Sequence, residues 1–186
     1  MIVHGDVRRI TADEYGKMAE AGIFDADERV ELIDGVLISY APPQGPEHAG
    51  MLWNCVELIR QRLHGKTAFW SQMPLVLCDD TVLKPDLALL VEKQTYRHQL
   101  PRASDVHAVI EVAWSSLSFD RTRKLRVYAE AEITEYWVAD VRAERFEIYR
   151  NPRGARYESY QVAQRSDSLS FAAFPDVTFS VDELLG

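Results

Sequence analysis

The chain has 186 residues, 47% of them hydrophobic, and its 21 basic and 29 acidic side chains give a net charge of −8. That length suits an ordinary hydrophobic core, so we expect residues 1–186 to form a single domain. The acidic balance excludes nucleic-acid binding driven by overall charge, and local positive charge or a metal ion would have to supply the attraction. The two cysteines, Cys55 and Cys78, are too few for a zinc knuckle or a disulfide framework.

The hydropathy pattern gives no sign of a membrane protein. No run of 18 apolar residues occurs, and the N-terminal residues lack the basic-then-apolar pattern of a signal peptide. We therefore expect a cytoplasmic protein with no membrane partner.

Residues 1–45 are predicted to form a helix followed by a hairpin. Thr11-Ala12-Asp13-Glu14 is typical of a capping box at the start of a helix, and Gly22 is expected to end that helix. Asp34-Gly35 lies between two apolar runs and favours a tight type I′ turn, because both central residues of such a turn need positive φ.

Residues 46–140 are predicted to form the central core, and residues 141–186 a C-terminal hairpin and tail. The predicted core elements are a helix over residues 47–64, strands over 67–78, 82–91 and 106–114, a helix over 119–132 and a strand over 136–139. The predicted hairpin strands are residues 145–150 and 156–162. The fold class is therefore α/β, of the α+β type, with a central mixed sheet flanked by helices.

Two acidic residues, Asp86 and Glu111, lie inside otherwise apolar predicted strands. Buried carboxylates are costly unless something pairs with them. Because strand side chains alternate between faces, each acid falls opposite the larger apolar set of its strand, and neighbouring strands would bring the two together. Mg²⁺ prefers such hard oxygen ligands, and Mn²⁺ is a possible substitute. The alternative is that both acids end their strands at the solvent edge.

Lys124 and Glu31 are further candidates for the same site. Lys124 lies four residues after Asp120 on a predicted helix, which is also the spacing of a solvated ion pair. Functionally, its ammonium group could orient an attacking water or balance charge on a phosphate. Glu31 lies on the first hairpin and is either an outward-facing strand acid or a third carboxylate at the metal.

His48, Arg121, Arg123 and Arg126 are candidates for binding a substrate. His48 opens the predicted helix over residues 47–64, where a helix N-terminus attracts anions, although it could equally be a surface or capping residue. The three arginines, together with Lys124, make the densest basic cluster of the chain. They could hold the phosphates of a nucleic acid, or form a solvated helix face.

Five phrases, in this order along the chain, resemble the Uma2 family of "putative restriction endonucleases". The resemblance runs from Thr11 to about Leu185 and agrees with the α-β-β-β-α-β core of the PD-(D/E)XK nuclease superfamily, to which that family belongs. The phrases are Glu31-Leu32-Ile33-Asp34-Gly35, Pro85-Asp86, Ile110-Glu111-Val112, Asp120-Arg121-Thr122-Arg123-Lys124-Leu125 and Glu135-Tyr136-Trp137-Val138-Ala139-Asp140.

The resemblance implies that Asp86 and Glu111 bind Mg²⁺, that Lys124 supplies the lysine of the site, and that Glu31 and His48 border the pocket. The superfamily usually places its lysine two residues after the glutamate, where this chain has Ala113. The expected activity is Mg²⁺-dependent hydrolysis of DNA by an endonuclease, in a protein that could act as a homodimer. The alternatives are a non-catalytic nucleic-acid-binding module, or a homodimeric interaction module, on the same scaffold.

Overall fold

The structure is a computed structural model that describes residues 7–25, 28–40 and 45–186. Residues 1–6, 26–27 and 41–44 of the predicted N-terminal unit lie outside this range. The helices are α1 Ala12–Glu20, α2 Pro46–Arg62, α3 Leu117–Phe119, α4 Leu125–Glu130 and α5 Val181–Leu185, and a π-helical turn, Asp120–Lys124, joins α3 to α4. No helix in these three ranges is long and apolar enough to cross a membrane.

The strands form a large mixed sheet, which includes the predicted hairpin of residues 145–162, a smaller sheet and a separate two-stranded sheet. They are β1 Arg29–Ile33, β2 Val36–Tyr40, β3 Ala68–Trp70, β4 Leu75–Cys78, β5 Thr81–Leu83, β6 Leu87–Leu90, β7 Val106–Ala113, β8 Glu135–Asp140, β9 Arg145–Arg153, β10 Arg156–Ala163, β11 Ser168–Phe171 and β12 Phe174–Ser180. The large sheet has the order β10-β9-β8-β7-β6-β3, the smaller sheet β2-β1-β5-β4, and β11 pairs with β12.

The predicted mixed sheet flanked by helices is confirmed. Strands β7 and β8 are parallel, while the other pairs of the large sheet are antiparallel. Parallel neighbours need a crossover connection, and the helical stretch from α3 to α4 provides it. This crossover carries Lys124, so the topology itself brings the lysine over one face of the sheet.

Alternation along β7 divides the core into two layers. Ile110 and Val112 pack into one apolar cluster with side chains of α2, α5, β11 and β12, so the C-terminal tail packs against the large sheet. Val109 and Ala113 pack into the other cluster, which contains Val127 and Tyr128 of α4. Glu111 falls on this second side by the two-residue period of a strand. It therefore faces the crossover helix.

The stretch predicted as one strand over residues 82–91 is two strands in different sheets. β5 belongs to the smaller sheet and β6 to the large one, and the break falls at Pro85. Proline has no N–H for a ladder hydrogen bond, which disfavours a continuous strand through this position. The stretch predicted over residues 67–78 divides in the same way, into β3 and β4. Asp86 consequently lies at a junction between the two sheets.

The N-terminal signals in the sequence are confirmed. The Thr11 side chain accepts a hydrogen bond from the backbone of Glu14, and the Glu14 carboxylate accepts one from the backbone of Thr11, which completes the capping box. Asp34 and Gly35 have φ values of 52° and 71°, as a type I′ turn requires. This turn joins β1 to β2 and fixes the register of the strand that carries Glu31.

We predict that Gly35→Ala destabilises the fold more than Gly154→Ala. Both glycines have positive φ in hairpin turns, but a Cβ at Gly35 would overlap the Cβ of Arg9 and lie 3.2 Å from its Cα. At Gly154 no atom of the described residues lies within 4 Å of such a Cβ. The conformational cost of alanine is about 1 kcal/mol at both positions. Overpacking adds roughly 1–3 kcal/mol at Gly35 alone. Urea denaturation of both variants measures the difference, and equal midpoints would contradict the close contact.

Candidate active site

A cluster of buried charged side chains lies where the smaller sheet meets the large one. Glu31 comes from β1, Asp86 from the junction between β5 and β6, Glu111 from β7 and Lys124 from the π-helical turn. All four residues are at most 5% exposed. Leu87 lies opposite Ile110 in the antiparallel pair of β6 and β7. Asp86 precedes Leu87 and Glu111 follows Ile110, so the two acids come next to each other at this end of the pair. The alternative that the two acids end their strands at the solvent edge is excluded, because both are buried.

Asp86 is anchored to the neighbouring strand through its side chain. Its Oδ2 accepts a hydrogen bond of 2.9 Å from the backbone N–H of Val112, the residue after Glu111. Ser71 Oγ donates to the backbone oxygen of Asp86 at 2.7 Å. These bonds hold the carboxylate beside β7 even though Asp86 lies outside a regular strand.

Lys124 reaches across the helix–sheet interface to two carboxylates. Its Nζ lies 2.8 Å from Oε1 of Glu111 and 3.6 Å from Oε1 of Glu31. Asp120 makes a different contact, because its Oδ2 accepts from Ser116 Oγ at 2.6 Å. The ammonium of Lys124 is thus directed into the cluster. The alternative, a solvated ion pair between Lys124 and Asp120, is not formed. π-Helical turns often occur at functional sites.

Glu31 has one engaged oxygen and one free oxygen. Oε1 accepts a 2.8 Å hydrogen bond from the backbone N–H of Lys84, while Oε2 is buried without a hydrogen-bond partner among the described residues. The hydroxyl of Tyr40 is likewise buried and has no partner within them. A buried carboxylate oxygen without a donor is costly. This oxygen is therefore a candidate ligand for a bound cation or water.

Arg29 is a member of the cluster that the sequence patterns did not single out. Its Nη1 and Nη2 each lie 3.2 Å from Oδ1 of Asp86, and Nη2 donates to the backbone oxygen of Lys84 at 2.6 Å. The signal available was the two-residue spacing between Arg29 and Glu31 on β1, which places both side chains on one face. The sequence pattern, however, gave no reason to pair Arg29 with Asp86, because the two residues are 57 positions apart.

Burial and mutual repulsion shift the proton affinities of the cluster. Burial, together with the neighbouring Asp86, Asp120 and Glu31, raises the pKa of Glu111 to about 8 despite the opposing effect of Lys124. Burial disfavours the charged form of Lys124, but the surrounding carboxylates outweigh it and raise its pKa above the ordinary value.

The same balance applies to Arg29, whose pKa is also raised by the carboxylates in spite of its burial. Burial raises the pKa of Asp120 as well. With Asp120 beside it, the cluster has four acidic groups, Glu31, Asp86, Glu111 and Asp120, and the cations that contact them among the described residues are Arg29 and Lys124. Ionisation of Glu111 and Asp120 would leave more negative than positive charge in the cluster, and binding a further cation would relieve that excess.

The donor set fits a hard divalent cation in chemistry and charge, although the side chains are not gathered as a finished metal site. Within residues 7–25, 28–40 and 45–186, no group of three or more His, Cys, Asp or Glu side chains could hold a metal ion as it stands. Both oxygens of Asp86 already accept hydrogen bonds. The free oxygen of Glu31 and the unbalanced carboxylates are what favour a cation here.

The remaining predicted residues make other contacts. Arg121 pairs with Glu147 and Asp140, and both Arg123 and Arg126 pair with Asp34. His48 is 7% exposed, and its Nε2 is buried with no hydrogen-bond partner in the part of the chain that is described. The structure joins Asp86, Glu111, Lys124 and Glu31 in one cluster. Among the described residues, the three arginines and His48 make no hydrogen bond or ion pair with that cluster. Their roles in binding a substrate stay predictions.

Comparison with solved structures gives the class of fold. The chain superposes with a TM-score of 0.73 on the crystal structure of a "putative nuclease belonging to DUF820" from Anabaena variabilis, with 16% sequence identity over 95% of this chain and 97% of that one. The chain therefore has the fold of that protein.

Comparison with family sequences gives the family. Residues 12–182 match the Uma2 family, which is described as "Putative restriction endonuclease". The chain belongs to the Uma2 family, which confirms the resemblance seen in the sequence. No curated protein matches significantly.

We predict that Glu111 makes the metal-free protein less stable as the pH rises. A carboxyl whose pKa is raised to about 8 when folded binds its proton more tightly than in the unfolded chain, where the pKa is near 4.5. Between these values the folded state holds the extra proton, so the free energy of unfolding falls with increasing pH, by at most about 1.4 kcal/mol per unit.

The matched variant is Glu111→Gln, which keeps acceptors for Lys124 and Tyr128 but cannot titrate. Urea denaturation at pH 5, 6, 7 and 8 in the presence of a chelator should show wild type losing stability relative to this variant. A constant difference across the series would mean that Glu111 is ionised throughout.

Proposed function

We propose that this chain is a metal-dependent endonuclease that hydrolyses phosphodiester bonds of DNA. Asp86 and Glu111 would hold Mg²⁺, or Mn²⁺ in its place, with Glu31 as a further ligand. The observation that carries the proposal is the buried cluster in which Lys124 joins Glu111 and Glu31 beside Asp86. Membership of the Uma2 family supports the same activity.

A divalent cation bound to these carboxylates would act as a Lewis acid on the scissile phosphate and lower the pKa of a bound water. Lys124 has a raised pKa and remains an ammonium group at neutral pH. We therefore assign it the positioning of the attacking water and the stabilisation of negative charge on the phosphate, rather than removal of a proton.

Tyr128 and Glu31 complete the set of positioning groups. The Tyr128 hydroxyl donates to Oε1 of Glu111 at 2.7 Å, and its pKa is raised well above the ordinary value, mainly by burial. It therefore stays protonated and fixes the orientation of that carboxylate. Glu31 offers the oxygen without a partner, which suits either a cation or the proton of an ordered water.

The partly exposed arginines would contact the DNA backbone, whereas His48, which is buried, would reach a phosphate only after a rearrangement. Arg121, Arg123 and Arg126 lie on the helical stretch that carries Lys124, so phosphates approaching the site would pass near them. Each of these arginines would exchange a carboxylate partner for a phosphate, which limits the net gain and suits the acidic character of the chain.

We predict that Asp86→Asn and Glu111→Gln each reduce DNA cleavage by roughly 100-fold or more, because each removes a charged ligand from the reacting centre. The measurement is conversion of supercoiled plasmid to nicked and linear forms with Mg²⁺ or Mn²⁺, and with a chelator as the metal-free reference. Circular dichroism shows whether the variants remain folded.

Asp105→Asn is the matched control, because Asp105 is also a buried aspartate with a cationic partner, Lys93, but lies outside the cluster. It should cut at close to the wild-type rate. Cleavage by Asp86→Asn at the wild-type rate, or cleavage that persists in the chelator, would remove the site assignment.

The same assay separates catalysis from the two rival interpretations. A non-catalytic nucleic-acid-binding module would shift DNA in a gel without cutting it under any metal condition. The homodimer stays a prediction that light scattering can test, and it is compatible with either outcome.

A further inference from the structure

The guanidinium of Arg29 contacts the oxygen of Asp86 that is left for a cation. Asp86 Oδ2 is engaged by the backbone N–H of Val112, which leaves Oδ1 as the oxygen open to exchange. Both terminal nitrogens of Arg29 lie 3.2 Å from that oxygen. A divalent cation bound at Oδ1 and a guanidinium in the same place would repel each other strongly at this degree of burial.

The guanidinium has an anchor that does not depend on Asp86. Its Nη2 donates to the backbone oxygen of Lys84 at 2.6 Å, so Arg29 can turn away from the carboxylate without leaving the junction between the sheets. The Asp86 side chain is 4% exposed and that of Arg29 is 19% exposed, so the arginine is the more solvent-accessible member of the pair.

The donors around Asp86 Oδ1 form a set that suits an anionic oxygen. Besides the two nitrogens of Arg29, Nε2 of Gln72 lies 3.4 Å from the same oxygen. Gln72 is held by a 2.8 Å hydrogen bond from its backbone N–H to the oxygen of Pro85. Once Asp86 is used by a cation, these N–H groups lose their acceptor, and a phosphate oxygen of the substrate would satisfy them.

We propose that Arg29 is a resident counter-cation that competes with the divalent cation for Asp86 and, when displaced, binds a phosphate of the substrate. This inference rests on the proposed function. It assigns one side chain two successive partners: the carboxylate in the metal-free protein and the nucleic-acid backbone in the loaded one. Metal binding and substrate binding are then coupled. A cation at Asp86 releases Arg29 for the phosphate, and a phosphate that holds Arg29 leaves Asp86 free for the cation.

The test compares wild type with Arg29→Gln, and uses Arg150→Gln as the matched control. Arg150 also pairs with a buried carboxylate, that of Glu135, whose partners include Trp137 on the opposite face of the large sheet. Isothermal titration with Mn²⁺ alone measures metal affinity, and fluorescence anisotropy of a labelled DNA duplex in saturating Ca²⁺ measures phosphate binding without depending on turnover.

Arg29→Gln should bind Mn²⁺ about tenfold more tightly than wild type, since the competing charge is gone. Its melting temperature in chelator should be lower than that of wild type, and its affinity for DNA about tenfold weaker. Arg150→Gln should lose melting temperature but keep both affinities. Arg29→Lys, which keeps a single point charge, should bind Mn²⁺ with an affinity between those of wild type and Arg29→Gln.

Unchanged or weaker Mn²⁺ binding by a folded Arg29→Gln protein would overturn the competition. Tighter Mn²⁺ binding with unchanged DNA affinity would overturn the transfer to phosphate. The proposed function fails by a different result, namely cleavage that survives Asp86→Asn or the absence of cleavage by wild type. The Mn²⁺ titration reports on Arg29 in either case, because it requires no catalysis.

Discussion

The candidate site depends on the burial of more carboxyl groups than cations. Glu31, Asp86, Glu111 and Asp120 are at most 3% exposed, yet the cations in contact with them are Arg29 and Lys124. Such a cluster is costly in an ordinary core, where replacing the charges by apolar side chains is often neutral or stabilising. The surrounding structure must therefore stabilise it, as the backbone donors of Lys84 and Val112 do. Unbalanced charge held in place in this way is expected at functional sites, where perturbed pKa values concentrate.

The sheet junction explains how these acids come together. Pro85 ends the pairing of β5, and the next residue, Asp86, precedes β6 in the other sheet. Because β5 pairs with β1, the same crossing brings Arg29 and Glu31 to Asp86. Because β6 pairs with β7, it also brings Glu111. The break at Pro85 thus brings side chains from both sheets together at Asp86. A continuous strand through residues 82–91 would have belonged to one sheet and would not have joined the two.

Local signals predicted the parts of the fold that depend on neighbouring residues. The capping box at Thr11, the turn at Asp34-Gly35 and the order of helices and strands follow from short-range backbone chemistry. The pattern of acids within apolar strands pointed to Asp86 and Glu111, and the family resemblance agreed with these two residues and with Lys124. The pairing of Arg29 with Asp86 was not accessible in this way, because 57 positions separate the two and only the union of two sheets brings them together. The split at Pro85 had a local signal, but the sheet that each half joins is decided by long-range pairing.

The position of Lys124 shows that the spacing of a motif in the sequence is less informative than where its side chain lies in the structure. The superfamily pattern puts lysine two residues after the glutamate, and alternation along β7 would direct a side chain at Ala113 to the same face as Glu111. Lys124 starts from the crossover helix instead and delivers its ammonium to within 2.8 Å of Glu111 on that same face. The π-helical turn changes the helical phase at the residues that must reach the sheet. A long side chain on the packed helix therefore places a cation at the Glu111 carboxylate, on the face that a side chain at position 113 of the strand would also reach.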